Sequence, residues 1–209
     1  MSELKDNILF WEKYRPANAS EIMLPDRIKN IANGGVQGNY IFHGRSGVGK
    51  TTFARILLSS YSKDSKLILS GKLGVDELRS KVYSFCTSMI FGEDPNKLRI
   101  VYFEEFDRGT KQLQEELKSF IEEHSHRVRF VATCNNINRI DEAIRSRFIE
   151  IDFTLQGDEI KEMKREYYHR IEAISEQDEL GLDKGTIVKV INKSFPDFRK
   201  IWQTVQLIK

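Results

Sequence analysis

Eight residues, Gly44-Arg45-Ser46-Gly47-Val48-Gly49-Lys50-Thr51, restrict the fold more than any other part of the chain. Their spacing is G-x-x-x-x-G-K-[ST], in which Gly44, Gly47 and Gly49 permit tight turns that aim successive backbone N–H groups at phosphate oxygens. In such a loop Lys50 reaches the β- and γ-phosphates of a nucleotide and the Thr51 hydroxyl ligates Mg²⁺. The helix opening at Thr51 and Thr52 adds its positive dipole end to the same spot. The flanks agree with this reading. Tyr40-Ile41-Phe42 leads in as a buried strand, and Phe53, Ala54, Ile56, Leu57 and Leu58 follow at helical spacing.

Elsewhere the pattern alternates between strand and helix periods. A short helix is expected from Pro25 into Ile31, then a loop at Gly34-Gly35 and Gly38. Lys66 to Leu69 reads as a second strand, and Val75, Leu78, Val82, Phe85, Cys86 and Met89 as the apolar face of a helix. Ile100 to Phe103 is a third strand that ends abruptly in Glu104-Glu105, and the next helix turns Leu113, Leu117, Phe120 and Ile121 inward. Val128 to Thr133 is a fourth strand. A fifth runs from Phe148 to Phe153, alternating Ile149, Ile151 and Phe153 with Glu150 and Asp152. Strands alternating with helices argue for a parallel sheet covered on both faces.

Past Phe153 the strand signals stop. Leu155-Gln156-Gly157 reads as a hinge, and three helices follow, carrying Ile160, Met163, Tyr167 and Ile171, then Ile187, Val190 and Ile191, then Phe198, Ile201, Trp202 and Val205. The expected organisation is an α/β core over residues 1–154 and a small all-helical lid over residues 155–209.

A chain of 209 residues can bury a core of this size. Lys and Arg number 33 against 31 Asp and Glu, so any nucleic-acid contact must come from a local basic surface. Cys86 and Cys134 have neither metal-ligand spacing nor a paired framework, which makes a reducing, cytoplasmic setting the expectation. The N-terminus lacks a signal-type apolar segment and no run approaches membrane-spanning length, so a soluble, unprocessed chain with no membrane partner is expected.

A phosphate-loop site that hydrolyses ATP needs acids at the end of a neighbouring strand, one serving the hydrated Mg²⁺ and one polarising the attacking water. Glu104 fits the first role and Glu105 the second, with Asp107 a nearby acid that could be mistaken for either.

Taken in order, several segments then resemble one family: Glu12-Lys13-Tyr14-Arg15-Pro16, the glycine loop, Glu104 to Arg108, Thr133-Cys134-Asn135-Asn136, Ser146-Arg147-Phe148 and Phe195-Pro196-Asp197-Phe198-Arg199. The set resembles the ATPase subunits of AAA+ sliding-clamp loaders, closest to the small loader subunit of T-even-type bacteriophages and more distantly to replication factor C small subunits. That resemblance implies a P-loop AAA+ core with a five-stranded parallel sheet, ATP or ADP with Mg²⁺ as ligands, and ATP hydrolysis. It implies as partners other loader subunits, a sliding clamp and primer-template DNA.

Position by position, the resemblance implies that Asn135 is a first sensor of the γ-phosphate or catalytic water. Arg199 is a second sensor brought by the lid, and Arg147, with Arg145 as its neighbour, an arginine finger reaching into the next subunit's site. Tyr14, Arg15 and Pro16 frame the adenine. Lys72, Arg79, Lys81, Arg108 and Lys111 are candidate contacts to DNA phosphates.

Three departures stand out. Glu104 replaces the family's usual Asp, Phe148 replaces a Cys, and the chain ends soon after Arg199, where the family continues into a collar domain. The first departure keeps open a nucleotide-binding scaffold with weak hydrolysis. A helicase loader is a further AAA+ alternative, against which the Glu-Lys-Tyr-Arg-Pro box counts.

Overall fold

A computed structural model describes residues 8–88 and 98–209. Met89 and the first seven residues of the N-terminal segment lie outside that range. Five strands form one parallel sheet: β1 Tyr40–His43, β2 Lys66–Ser70, β3 Arg99–Glu104, β4 Val128–Cys134 and β5 Ile149–Asp152. Their spatial order is β2-β3-β4-β1-β5. The helices are α1 Phe10–Lys13, α2 Asp26–Gly34, α3 Lys50–Leu57, α4 Val75–Thr87, α5 Lys111–His124, α6 Glu142–Arg145, α7 Asp158–Gln177, α8 Lys184–Ser194 and α9 Phe198–Ile208.

The central strands are buried on both faces, as a continuous apolar run requires. Along β3, Ile100 and Tyr102 point into a cluster with Phe42, Phe53 and Phe153 from the core and Tyr167, Phe198 and Trp202 from α7 and α9. Val101 and Phe103 point the other way, into a cluster with Ile41 of β1, Leu78 and Val82 of α4, and Leu113 and Leu117 of α5. The period-two alternation of one strand thus feeds two layers of helix.

The edge strand departs from expectation. Ile149 alternates in register with Ile151 and Phe153, yet it is 52% exposed. β5 is an edge strand that pairs with β1, and its deepest burial falls on the flanking Phe148 and Phe153. Ile160 of α7 is likewise more exposed than its neighbours Met163 and Tyr167.

After β1 the chain crosses two strands to reach β2, whereas after β4 it returns past β1 to β5. The carboxyl ends of β1 and β4 therefore flank a point where connections diverge, the place at which open α/β sheets hold ligands. The three helices after β5 turn back over this edge. Arg27 of α2 staples the turn, donating to the carbonyls of Asp152 and Thr154 and to the Glu159 carboxylate of α7. Between those acceptors sits Gly157 at φ 50°, a left-handed conformation that suits glycine.

Candidate nucleotide site

Gly44, Gly47 and Gly49 have φ of 139°, 82° and 94°, so the loop between β1 and α3 takes a path that side-chain-bearing residues rarely follow. Gly47 is held by proximity as well: a Cβ there would lie 2.0 Å from Oδ1 of Asp197. Asp197 caps α9 by accepting from the Lys200 N–H at 3.0 Å. The Phe198 N–H in turn donates to the Gly47 carbonyl at 3.0 Å. The first turn of α9 therefore rests directly on the loop.

Lys50 opens α3 and is 7% exposed. Its ammonium donates to the carbonyls of Gly44 and Arg45, each at 2.7 Å, and to Oδ1 of Asn135 at 3.0 Å. These three oxygens stand where phosphate oxygens would be expected. Burial pushes the Lys50 ammonium down to about 8, against the opposing pull of Cys134, Asp107 and Glu105, of which the two carboxylates carry charge, while Arg199 adds to the lowering.

Glu105 follows β3 at φ 54°, a strained left-handed position for a residue with a side chain. Its N–H donates to Thr133 Oγ1 of β4 at 3.2 Å, and its carboxylate pairs with Arg108 at 2.8 Å. Glu104 stays outside the cleft lining and pairs with Arg55 of α3 at 3.2 Å. Asp107 is buried, and its Oδ2 accepts the Asn136 N–H at 3.2 Å, bracing the turn beside Asn135.

These groups converge on one cleft of about 940 Å³, open mouth included. Ser46, Gly47, Gly49, Lys50, Thr51, Thr52, Glu105, Asn135 and Arg199 form its polar end. Gly44 and Arg45 contribute through their carbonyls, and Val48 is a buried residue of the loop that does not line the cleft.

The other end is apolar, and sequence reasoning found only part of it. Tyr14, Arg15 and Pro16 are there, together with Trp11, Ile22, Met23 and Leu24, which carry no spacing signal, and Tyr167 and Trp202, whose helical spacing marks them as apolar faces of α7 and α9 without pointing to a site. Tyr14 is tied into the lid. Its hydroxyl donates to Asp178 at 2.7 Å and its ring lies 4.7 Å from that of Trp202.

Arg147 lies away from the cleft. Its guanidinium donates to Glu122 of α5 and to the Ala143 carbonyl of α6, and Arg145 pairs with Glu150 at 2.8 Å. Among the five basic candidates, Arg79 is paired with Glu116, Lys81 with Glu77 and Arg108 with Glu105. Lys72 and Lys111 have no ion pair among the described residues.

A magnesium ion fits the donor set in the limited sense that Mg²⁺ requires. Among the described residues no group of three or more His, Cys, Asp and Glu side chains could hold a metal. Mg²⁺ is ordinarily held by few protein ligands together with substrate phosphates and water, and Thr51 lines the cleft while Glu104 ends the adjoining strand. No helix among the described residues is long and apolar enough to cross a membrane.

The chain is 31% identical over 204 residues to the sliding-clamp-loader large subunit of Enterobacteria phage T4, covering 94% of this chain and 63% of that protein. It is 30% identical to the corresponding protein of Escherichia phage RB69, covering 94% and 62%. It is also 31% identical to the replication factor C small subunit of Methanococcus maripaludis, covering 93% and 62%. The phage relatives are named large subunits, not small ones, and the chain spans less than two thirds of each of these relatives.

In fold it is similar to the RuvB Holliday junction branch migration motor of Thermotoga maritima, with a TM-score of 0.68 at 19% identity over 92% of this chain and 64% of that one. Residues 40–155 match the model of the ATPase family associated with various cellular activities. The chain belongs to that family, the AAA ATPases.

Proposed function

We propose that this chain is the ATP-hydrolysing module of a sliding-clamp loader, using ATP to help open a ring-shaped clamp and place it on primer-template DNA. The observation that carries the reading is the convergence of Lys50, Thr51, Glu105, Asn135 and Arg199 on one cleft whose far end is framed by the Glu-Lys-Tyr-Arg-Pro segment. Relatives named as clamp-loader and replication factor C subunits support it over other AAA functions.

In this reading the apolar end takes the adenine and the glycine loop takes the phosphates. Lys50 exchanges the Gly44 and Arg45 carbonyls for phosphate oxygens. Glu105 leaves Arg108 to polarise the attacking water, Asn135 orients that water or the γ-phosphate, and Arg199 offsets charge from the lid. Thr51, and Glu104 through water, would hold Mg²⁺, whose charge draws electron density from the β- and γ-phosphates. Arg147 completes a neighbouring subunit's site, where such a finger is worth on the order of a thousandfold or more in rate. Lys72 and Lys111, with Arg79, Lys81 and Arg108 once released from their carboxylates, meet DNA phosphates.

One observation favours a weakly hydrolysing scaffold instead: both acids, Glu104 and Glu105, are neutralised by arginines of the same chain. ATP turnover measured with and without a clamp and primer-template DNA separates the two. Strong stimulation supports the loader, and turnover that stays at the basal level supports the scaffold. Loss of ATP binding in Lys50→Ala is expected in both cases.

A further inference from the structure

Arg199, at the polar end, has neither hydrogen bond nor ion pair from its side chain among the described residues, although a guanidinium carries five donors. Its one recorded partner is an indole: the guanidinium carbon lies 5.1 Å from the ring centroid of Trp11. On the same ring, Arg15 lies 5.3 Å away, itself paired with Glu12 at 3.1 Å. Burial holds the Arg15 guanidinium below its ordinary value; Glu12 opposes this, and Arg55 and Arg199 add to it.

Trp11 does not reach this place by chance of a loose N-terminus. α1 lies along one face of α9, the face carrying residues 199, 202 and 206 at helical spacing. Each of those positions receives a partner from the N-terminal segment. The Phe10 N–H donates to Gln206 Oε1 at 3.0 Å, the Tyr14 ring stacks near Trp202, and Trp11 covers Arg199. The segment is also anchored through Lys13 and Tyr14 to Asp178, just past α7.

We infer that Trp11 is a positioning residue, whose indole aims the otherwise unpartnered Arg199 guanidinium into the cleft so that it meets the terminal phosphate of a nucleoside triphosphate. The inference rests on the proposed role of Arg199 and adds what sets its direction. A cation over an aromatic face is attracted in proportion to the ring's quadrupole, strongest for Trp, weaker for Phe and absent for Leu. That gives a graded series of substitutions at a half-buried position packed against the core.

The test is a double-mutant cycle in the full chain, with Mg-ATP and Mg-ADP affinities measured by calorimetry for Trp11→Leu, Trp11→Phe, Arg199→Ala and Trp11→Leu/Arg199→Ala. Thermal melting of each variant verifies folding. Trp11→Leu is expected to weaken ATP binding about three- to tenfold more than it weakens ADP binding, with Trp11→Phe intermediate; a loss common to both ligands reports the indole's own place in the cleft. In the Arg199→Ala background the ATP-specific part of the Trp11→Leu effect should vanish.

Additive losses from the two substitutions, or equal losses for ATP and ADP, would overturn the positioning role while leaving Arg199 as a phosphate contact. If Arg199→Ala leaves ATP affinity unchanged, the reading of Arg199 fails and the inference falls with it.

Discussion

Lys50 offers the sharpest test, because its protonation should make two observables move in opposite directions. Its pKa falls from the ordinary 10.5 to about 8 because the ammonium is buried with only neutral oxygens in contact. That drop corresponds to roughly 3 kcal/mol against the charged form in the folded, nucleotide-free protein.

Below pH 8 the lysine is charged in both folded and unfolded chains, so the folded state carries the whole cost. Between pH 8 and 10.5 the unfolded chain binds more protons, and the contribution of Lys50 to stability rises with pH. Nucleotide binding runs the other way. Phosphates beside the ammonium restore its proton, so binding should take up about 0.1 proton at pH 7, about 0.5 at pH 8 and about 0.9 at pH 9, and affinity should fall about tenfold per pH unit above 8. The buried neighbours Tyr102 and Cys134 are both pushed up to about 12 by burial and do not titrate in this window.

Calorimetry of Mg-ATP binding in buffers of differing ionisation enthalpy reads the proton number directly. Lys50→Arg, whose guanidinium keeps its proton, should show no uptake at pH 9. Zero uptake by the parent at pH 9, or an equal pH slope in Lys50→Arg, would refute the argument that desolvation sets the charge state of this lysine.

Other consequences are simpler. Gly47→Ala places a Cβ against Asp197 at a left-handed φ, so it should destabilise by more than about 1 kcal/mol and weaken ATP binding; adding Asp197→Ala should relieve the overlap and recover only part of the loss, as melting and calorimetry would show. Phe53→Ala removes the centre of a ring triad in which Phe42 and Phe153 lie 5.2 and 5.7 Å away. It should cost about 3–5 kcal/mol in denaturant unfolding, and a loss under 1 kcal/mol would contradict the packing. Arg108→Ala frees Glu105 and should raise basal ATP turnover by no more than about fivefold while ATP affinity stays within about twofold; a fall in turnover would mean that Arg108 serves the reaction itself.

What the sequence made legible follows from how local each signal is. The glycine loop, the strand ends at Glu104 and Asn135 and the helical periods of α4, α5 and α7 to α9 depend on neighbours within a few residues, so pattern reading reached them. The failures are non-local. Ile149 has the alternation of an inward residue, but only the sheet order shows that β5 is an edge, where it is left half exposed. Ile22, Met23 and Leu24 precede α2 with no period, and only the fold brings them to the cleft beside residues far away in sequence. Trp11 carries no local signal of its place, which follows only from the packing of α1 on α9. Asp107 could be separated from Glu104 and Glu105 only by the bond to Asn136 N–H, since three acids within four residues are equivalent in a linear pattern.

The site also shows which barriers the free chain has set for itself. Glu104 is held by Arg55, Glu105 by Arg108 and Arg147 by Glu122, all on partly exposed surfaces where such pairs contribute about 0–1 kcal/mol each. Lys50 is different in kind, because its desolvation is several times larger and is relieved only by an anion. Binding therefore draws on one deep imbalance, whereas the groups assigned to turnover sit behind shallow, exchangeable locks. A contact worth about 1 kcal/mol, from a neighbouring subunit or a DNA phosphate, suffices to open any one of those locks, and no comparably weak contact could substitute for the phosphates at Lys50. On these magnitudes nucleotide binding should be a property of the chain by itself, and the rate of hydrolysis a property of the company it keeps.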